Sequence, residues 1–457
     1  MKKFLALVLA LVMTMSLVTM AGAEDFTDAA DVDYAEAVEV LTEVGIVSGY
    51  TDGSVRPDVA LNRGQAAKII CNLILGPTEA AALPTGVSPY ADVPAGSTFA
   101  GYIAYLSKEG VVSGYADGTF QPTAPLTGYA FMKMLLGVLG YDASIEGYTG
   151  SNWAVSVAKQ ALAIKLNKGL DGTFNGSKVV TRQEAMLYAF NALNAKWVTY
   201  TDKGANITIG GVTINTGASE VKTNDDNQVY FAKLFGTDLV KAPSTDTYGR
   251  PATKWTYKKE VVGTYAVDAD KVYTADTKLY TVKGDIDMNT TDGNLFYWTV
   301  NAAHDKVEGL SSANRVEVGF YTSSDTTKKL STLETIGTYA GNGVVFEIFY
   351  DMDASINNKI VVIDEYIDQV EDVDTDDDGR YIELDGGKKF YTKDFEEDQW
   401  VLFTKGWDST NNAQKIASVK AATKLSGTVT KTESDGTYFI DGVAYDMHGG
   451  SDKFVPS

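Results

Sequence analysis

Residues 48–57 read SGYTDGSVRP and residues 113–122 read SGYADGTFQP, nearly the same ten residues at two distant places in the chain. A looser third copy, KGLDGTFNG, occupies 168–176. In each copy an Asn or Thr follows the Asp of the DG pair at one constant spacing: Asp52 to Asn62, Asp117 to Thr127, Asp171 to Thr181. A fixed spacing repeated three times marks a repeated structural unit rather than a chance motif. Gly53, Gly118 and Gly172 supply the positive φ that a tight turn requires at this point.

Each turn is flanked by helical periodicity. Before it, Tyr34, Ala37, Val38, Leu41 and Val44 recur at three- and four-residue intervals, as do Phe99, Tyr102, Ile103 and Leu106. Trp153, Val157, Ala158, Ala161 and Leu162 do the same in the third unit. After the turn, Asn62, Thr127 and Thr181 read as N-caps of a second helix. Gln65 and Glu184 stand three residues on and complete capping boxes, whereas Ala130 leaves the middle one incomplete. One helix pair cannot bury both of its apolar faces alone, so the three units are expected to pack into one body.

These residues resemble the S-layer homology (SLH) repeat. Phe26-Thr27-Asp28 and Tyr90-Ala91-Asp92-Val93 match its opening motif, and Trp153-Ala154 its aromatic helix start. GYTDGSVRP matches its turn, and Thr181-Arg182-Gln183-Glu184 its second-helix signature. The resemblance covers roughly residues 24 to 197, as repeats at 24–80, 88–142 and 146–197. It implies an all-α SLH triplet, a three-pronged helical spindle, followed by β-rich modules. It also implies non-covalent anchoring of an exported bacterial protein to a secondary cell-wall polysaccharide or peptidoglycan-linked polymer, often a pyruvylated one, bound in grooves between repeats. Arg63 and Arg182 then become groove residues for an acidic sugar, since a guanidinium at a helix start matches a carboxylate bidentately. Pairing with a neighbouring Asp is the plainer alternative. Gly128 stands where the second repeat would carry this arginine, which puts that groove in doubt. Asp28 and Asp92 match the acidic groove position, with helix capping as their structural alternative. Trp153, with Tyr34 and Phe99 in the same place, is either a sugar-stacking platform or core.

The remaining chain is read from composition and pattern. Residues 1–23 combine Lys2 and Lys3, an apolar run and an AGA end, which predicts an export signal cut after Ala23. Cys71 is a single cysteine in an apolar helical run, so no intramolecular disulfide is available. His304 and His448 are too few for a His-rich metal site, and no cofactor is implied. The formal charge of −21 argues against nucleic acid and anionic membrane, and no later run is long and apolar enough to span a bilayer. From 200 to 457 the chain reads as β-rich, with hairpins at ITIGGVTIN, at GVVFEIFYD with KIVVIDEYI, and in SGTVTKTESDGTYFIDGVAYD. DTDDDGRYIELD, from Asp374 to Asp385, has partial calcium-loop spacing, with Asp instead of Glu at its last position and Ile382 at its ninth; a hairpin turn is the preferred reading, because it also explains the similar TESDGTYFIDG from Thr432, which calcium does not. No nucleophile elbow, P-loop or zinc motif is present. The expectation is a non-enzymatic surface-layer or wall-anchored protein that self-associates in a layer. A wall-anchored glycan hydrolase, active in its C-terminal half, is the competing class.

Overall fold

The computed structural model describes residues 26–86, 90–209, 212–216, 221–223, 228–269, 359–408, 411, 413–423, 426–432 and 438–445. It also describes the strand segments 271–273, 280–282, 285–286, 317–319, 327–329 and 344–349. The export signal, His304, His448 and the turn glycines Gly210 and Gly211 lie outside the described residues. The described residues divide into two compact units, one running up to 242 and including 254–263, the other holding 243–253 and the chain from 264 onward.

The first unit contains the repeats. Each supplies two helices: α1 Ala35–Glu43 and α2 Arg63–Leu75, α3 Ala100–Lys108 and α4 Gly128–Val138, α5 Trp153–Ala163 and α6 Arg182–Asn194. Asn62 and Thr181 close reciprocal capping boxes with Gln65 and Glu184, while Thr127 only accepts from the Ala130 amide. The turn glycines have φ of 79°, 80° and 76° at Gly53, Gly118 and Gly172.

The three repeats close into a ring through their backbones. Leu61 donates its amide to the Val180 carbonyl, Val180 to Leu126, and Leu126 back to Leu61, at 2.9 to 3.0 Å. All three side chains are buried at this centre. The first two amides of each second helix, which no helical carbonyl can satisfy, donate to the next repeat. Arg63 and Gly64 reach Ala124 and Pro122, Gly128 and Tyr129 reach Lys178 and Gly176, and Arg182 and Gln183 reach Val59 and Pro57. Helix contacts follow the same cycle: α2 packs on α3, α4 on α5, and α6 on α1. Leu41, Ile70, Leu73, Ile103, Phe131, Leu135, Ala189 and Leu193 form the core between them. Each large apolar side chain so buried contributes about 1.5–3 kcal/mol.

The expected division into an all-α spindle followed by β-rich modules is overturned. Among the described residues there are eight α-helices together with many antiparallel sheets, and the helical unit itself contains strands. Val198–Tyr200 pairs with Val221–Thr223, and Ala205–Ile209 pairs with Val212–Thr216. Isolated bridges such as Ala60 with Thr181 and Thr127 with Val179 tie the repeats themselves. The physical cause is that the helices leave apolar surface which later chain covers. Val198 donates its amide to Leu139, Tyr230 in the short helix Tyr230–Phe235 donates its hydroxyl to the Leu73 carbonyl, and Trp255 is fully buried. The Trp255 ring meets Phe190 and Phe231 edge-on at 5.6 and 5.3 Å, and its Nε1–H donates to Glu36 at 2.7 Å.

The second unit is β-rich. Val344–Phe349 runs antiparallel to Lys359–Gln369, which also pairs with Trp400–Asp408, and that strand pairs with Ala413–Ala421. Glu317–Gly319 is parallel to the start of Lys359–Gln369. Two clusters fill the core, Tyr248, Phe349, Val361, Ile363 and Ala417 in one, Val370, Ile382, Leu384, Val401, Phe403 and Ile416 in the other. The three strand pairs expected from alternating sequence all form, with Ile207 opposite Ile214, Val345 opposite Ile363 and Ile440 opposite Val443.

Candidate functional site: the clefts between repeats

In repeat one, the Asp28 carboxylate accepts from the Val55 and Arg56 amides at 2.8 and 2.7 Å. Asp92 does the same for Phe120 and Gln121 in repeat two, both at 2.7 Å. These amides belong to the residues around Arg56 and Gln121, which hold φ of 52° and 57°, a conformation that costs an L-residue about 1–2 kcal/mol. Each carboxylate thus fixes the strained end of its turn. Desolvation works against the Asp92 charge, but the amide hydrogen bonds outweigh it and hold the carboxyl below its usual value.

Over each of these turns lies an arginine from the preceding repeat in the ring. Arg63 donates through Nε to the Phe120 carbonyl at 2.8 Å and through Nη2 to Ser113 at 3.1 Å. Its guanidinium sits 4.3 Å from the Phe120 ring and 5.0 Å from that of Tyr115. Arg182 repeats the arrangement on the first turn, with Nε to Val55 at 2.9 Å, Nη2 to Ser48 at 3.4 Å, and the Tyr50 ring at 4.8 Å. Arg63 is partly buried and Arg182 is 5% exposed, so burial lowers the pKa of Arg182 from its ordinary value. Both arginines leave Nη1 without a hydrogen bond among the described residues. Arg56, 3.9 Å from the Tyr50 ring and 2.8 Å from Asp52, adds a second guanidinium beside Arg182.

The third cleft is built differently. Gly128 stands in the arginine's position and approaches Gly176 so closely that a Cβ would lie 3.1 Å from the Gly176 Cα. The cleft is lined by Gly128, Leu170, Asp171, Asn175, Glu184 and Tyr188.

Trp153 opens α5 and is partly buried, with Lys133 Nζ 5.5 Å from its ring. Burial lowers the Lys133 pKa. The structure therefore brings Asp28 and Arg182 together over the first turn and Asp92 and Arg63 over the second, while Trp153 stands apart from both with Lys133. Sequence reading missed Tyr50, Tyr115, Arg56 and Lys133. The aromatic of SGY at the same place in two turns was the available signal for the tyrosines.

In the second unit, Asp374 to Asp385 forms a hairpin in which Asp376 faces Gly379, and the Asp385 carboxylate is held by Lys388 and Lys405. Among the described residues no group of three or more His, Cys, Asp or Glu is placed to hold a metal ion. The buried acids Asp246 and Glu347 both face Arg250, at 2.6 and 3.5 Å.

The family model of the S-layer homology domain matches residues 25–67 and 89–128. A surface layer protein of Brevibacillus choshinensis is 30% identical over 174 residues, covering 37% of this chain and 15% of that protein. A cell surface protein of Thermoanaerobacter kivui is 25% identical over 97% of this chain and 58% of its own length. The S-layer protein sap of Bacillus anthracis is 24% identical over 52% of this chain and 30% of its length. The chain therefore spans less than two thirds of each of these relatives. The chain thus contains S-layer homology domain sequence and is a protein of the cell surface or cell wall. Among the described residues no helix is long and apolar enough to cross a membrane.

Proposed function

We propose that the repeats anchor this chain non-covalently to the cell wall by binding an acidic secondary cell-wall polysaccharide, of the pyruvylated kind, in the clefts of Arg63 and Arg182. The carrying observation is the free Nη1 edge of each guanidinium, fixed over an aromatic ring at a helix start, in a chain of net charge −21. Asp28 and Asp92 hold the turns that orient these arginines, and accept sugar hydroxyls on their exposed sides. Trp153, backed by Lys133, offers a stacking face to a pyranose ring. The β-rich part is a structural region displayed outward, without catalytic activity, and it self-associates in a surface layer.

The test is co-sedimentation of the folded protein with purified walls. Arg63→Ala removes a charge-assisted contact of about 1.5–3 kcal/mol, so binding weakens roughly tenfold or more. Arg182→Lys keeps charge in the more buried cleft but loses the planar fork, and binding falls by a smaller factor. Circular dichroism verifies that the helices persist. A folded Arg63→Ala protein that sediments like the parent overturns the assignment. Release of wall glycan by the full chain overturns the non-catalytic reading.

A further inference from the structure

We propose that the cleft between repeats two and three binds a cation, a ligand carrying a guanidinium or primary ammonium group, in contrast to the two arginine-filled clefts. The inference comes from comparing three equivalent places in one ring, and it stands independently of the anchoring function above.

Three departures coincide there. First, Arg63 and Arg182 lay guanidinium groups over the turns of repeats two and one, but at the turn of repeat three the equivalent residue is Gly128, which lines an open cleft instead. Second, the aspartates of the DG pairs differ in what they hold. Asp52 accepts from the amide and hydroxyl of Ser54, and Asp117 from those of Thr119, so both carboxylates are engaged within their own turns. Among the described residues the Asp171 carboxylate accepts no hydrogen bond, and it lines the cleft. Third, Tyr188 is 3% exposed and its hydroxyl has no hydrogen-bond partner among the described residues, although Tyr188 also lines the cleft. The hydroxyl is thus open to the cleft and free to accept from a bound donor.

The chemistry of the lining favours a donor-rich cation. Asp171 and Glu184 are acids, and the Tyr188 hydroxyl and the Asn175 side chain offer further acceptors. Lys178 is the one base on the lining and is solvent-exposed, leaving two acids against it. Glu184 keeps one oxygen on the Thr181 amide at 2.8 Å and has another to offer. Phe174 meets both Tyr129 and Tyr188 edge-on, which fixes the Tyr188 ring from behind. An acidic sugar would meet two carboxylates here and no guanidinium.

Ligand-observed saturation-transfer NMR on the full chain at low salt tests the assignment with three probes: methylguanidinium, glucosamine and neutral N-acetylglucosamine. The two cations are expected to bind and N-acetylglucosamine is not. Tighter binding of methylguanidinium points to an arginine side chain as the source of the group, and tighter binding of glucosamine to an amino sugar. Replacing Asp171→Asn with Glu184→Gln should weaken cation binding by roughly tenfold or more. Gln65 already serves the same capping role in repeat one, so the Glu184→Gln change preserves the helix start. Tyr188→Phe, which keeps the ring and deletes only the hydroxyl, should weaken binding by a few-fold, and serves if the double variant fails to fold. Absence of cation binding, equal binding of N-acetylglucosamine, or unchanged affinity in the folded variants overturns the proposal.

Discussion

Asp92 and Gln121 show how one side chain can hold an unfavourable backbone in place. Gln121 has φ of 57°, and the two oxygens of Asp92 receive the Phe120 and Gln121 amides that this conformation turns inward. Removing the carboxylate leaves two amides unpaired while the strain remains, so Asp92→Ala is expected to destabilise the helical unit by about 1–3 kcal/mol. Adding Gln121→Gly, which adopts positive φ without steric cost, should recover part of that loss. Chemical denaturation followed at a helical wavelength measures both, and equal stability of Asp92→Ala and parent would remove the carboxylate from this role. The Asp was visible in the sequence at its repeated position, but its partner amides were not, since they lie far along the chain. Asn175, the counterpart in repeat three, has no such positive φ among the described residues, which fits the absence of an opening Asp there.

At the scale of strands, alternation made the hairpins readable, because side chains on one face recur every second residue. Val344 opposite Asp364 and Phe346 opposite Val362 place Asp364 on an otherwise apolar face, beside Tyr366. Burial raises its pKa from the ordinary 3.8 to about 6, against the pull of a Tyr366 hydrogen bond and the Lys405 charge. Because the folded value lies above the unfolded one, the protonated acid's advantage is fully present below pH 3.8 and is lost as pH rises through about 6. Asp364→Asn is therefore expected to be more stable than the parent at pH 7.5, by on the order of 1–3 kcal/mol, with the difference closing toward pH 4. Thermal melting at the two pH values decides it, and a difference independent of pH would exclude this ionisation as its cause. No sequence pattern announces such a residue, since Asp in a strand ordinarily faces water. The DTDDDG stretch carried the reverse lesson. Its spacing suited calcium as well as a turn, and only the third strand, Lys388–Tyr391, together with Lys405 shows that the Asp376 and Asp385 carboxylates are engaged by Lys389, Lys388 and Lys405.

For the whole molecule, a ten-residue spacing read three times revealed a body of three repeats, although the family model matches only the first two. The hydrogen-bonded ring through Leu61, Val180 and Leu126 explains why the third is needed: without it, two backbone bonds at the centre and the α6–α1 contact are lost. What the spacing could not convey is where the body ends. Composition changes near Tyr200, yet Trp255 is fully buried against Phe190 of α6 and donates to Glu36 of α1, joining residues from opposite ends of the ring to a later strand. Contacts this remote in sequence leave no local periodicity to detect. Removing the indole takes away a large buried aromatic, two ring contacts and a charge-assisted hydrogen bond, so Trp255→Ala should destabilise the repeats by about 3–5 kcal/mol. Trp255→Phe keeps most of the packing but leaves Glu36 without this donor, and should fall between the two. A fragment ending at Lys196 lacks Trp255 and Tyr230 altogether, and its helical signal should melt at a lower temperature than that of a fragment ending at Ala266. Equal melting of the two fragments would mean that the repeats are complete without the later chain, and that Trp255 only rests on them.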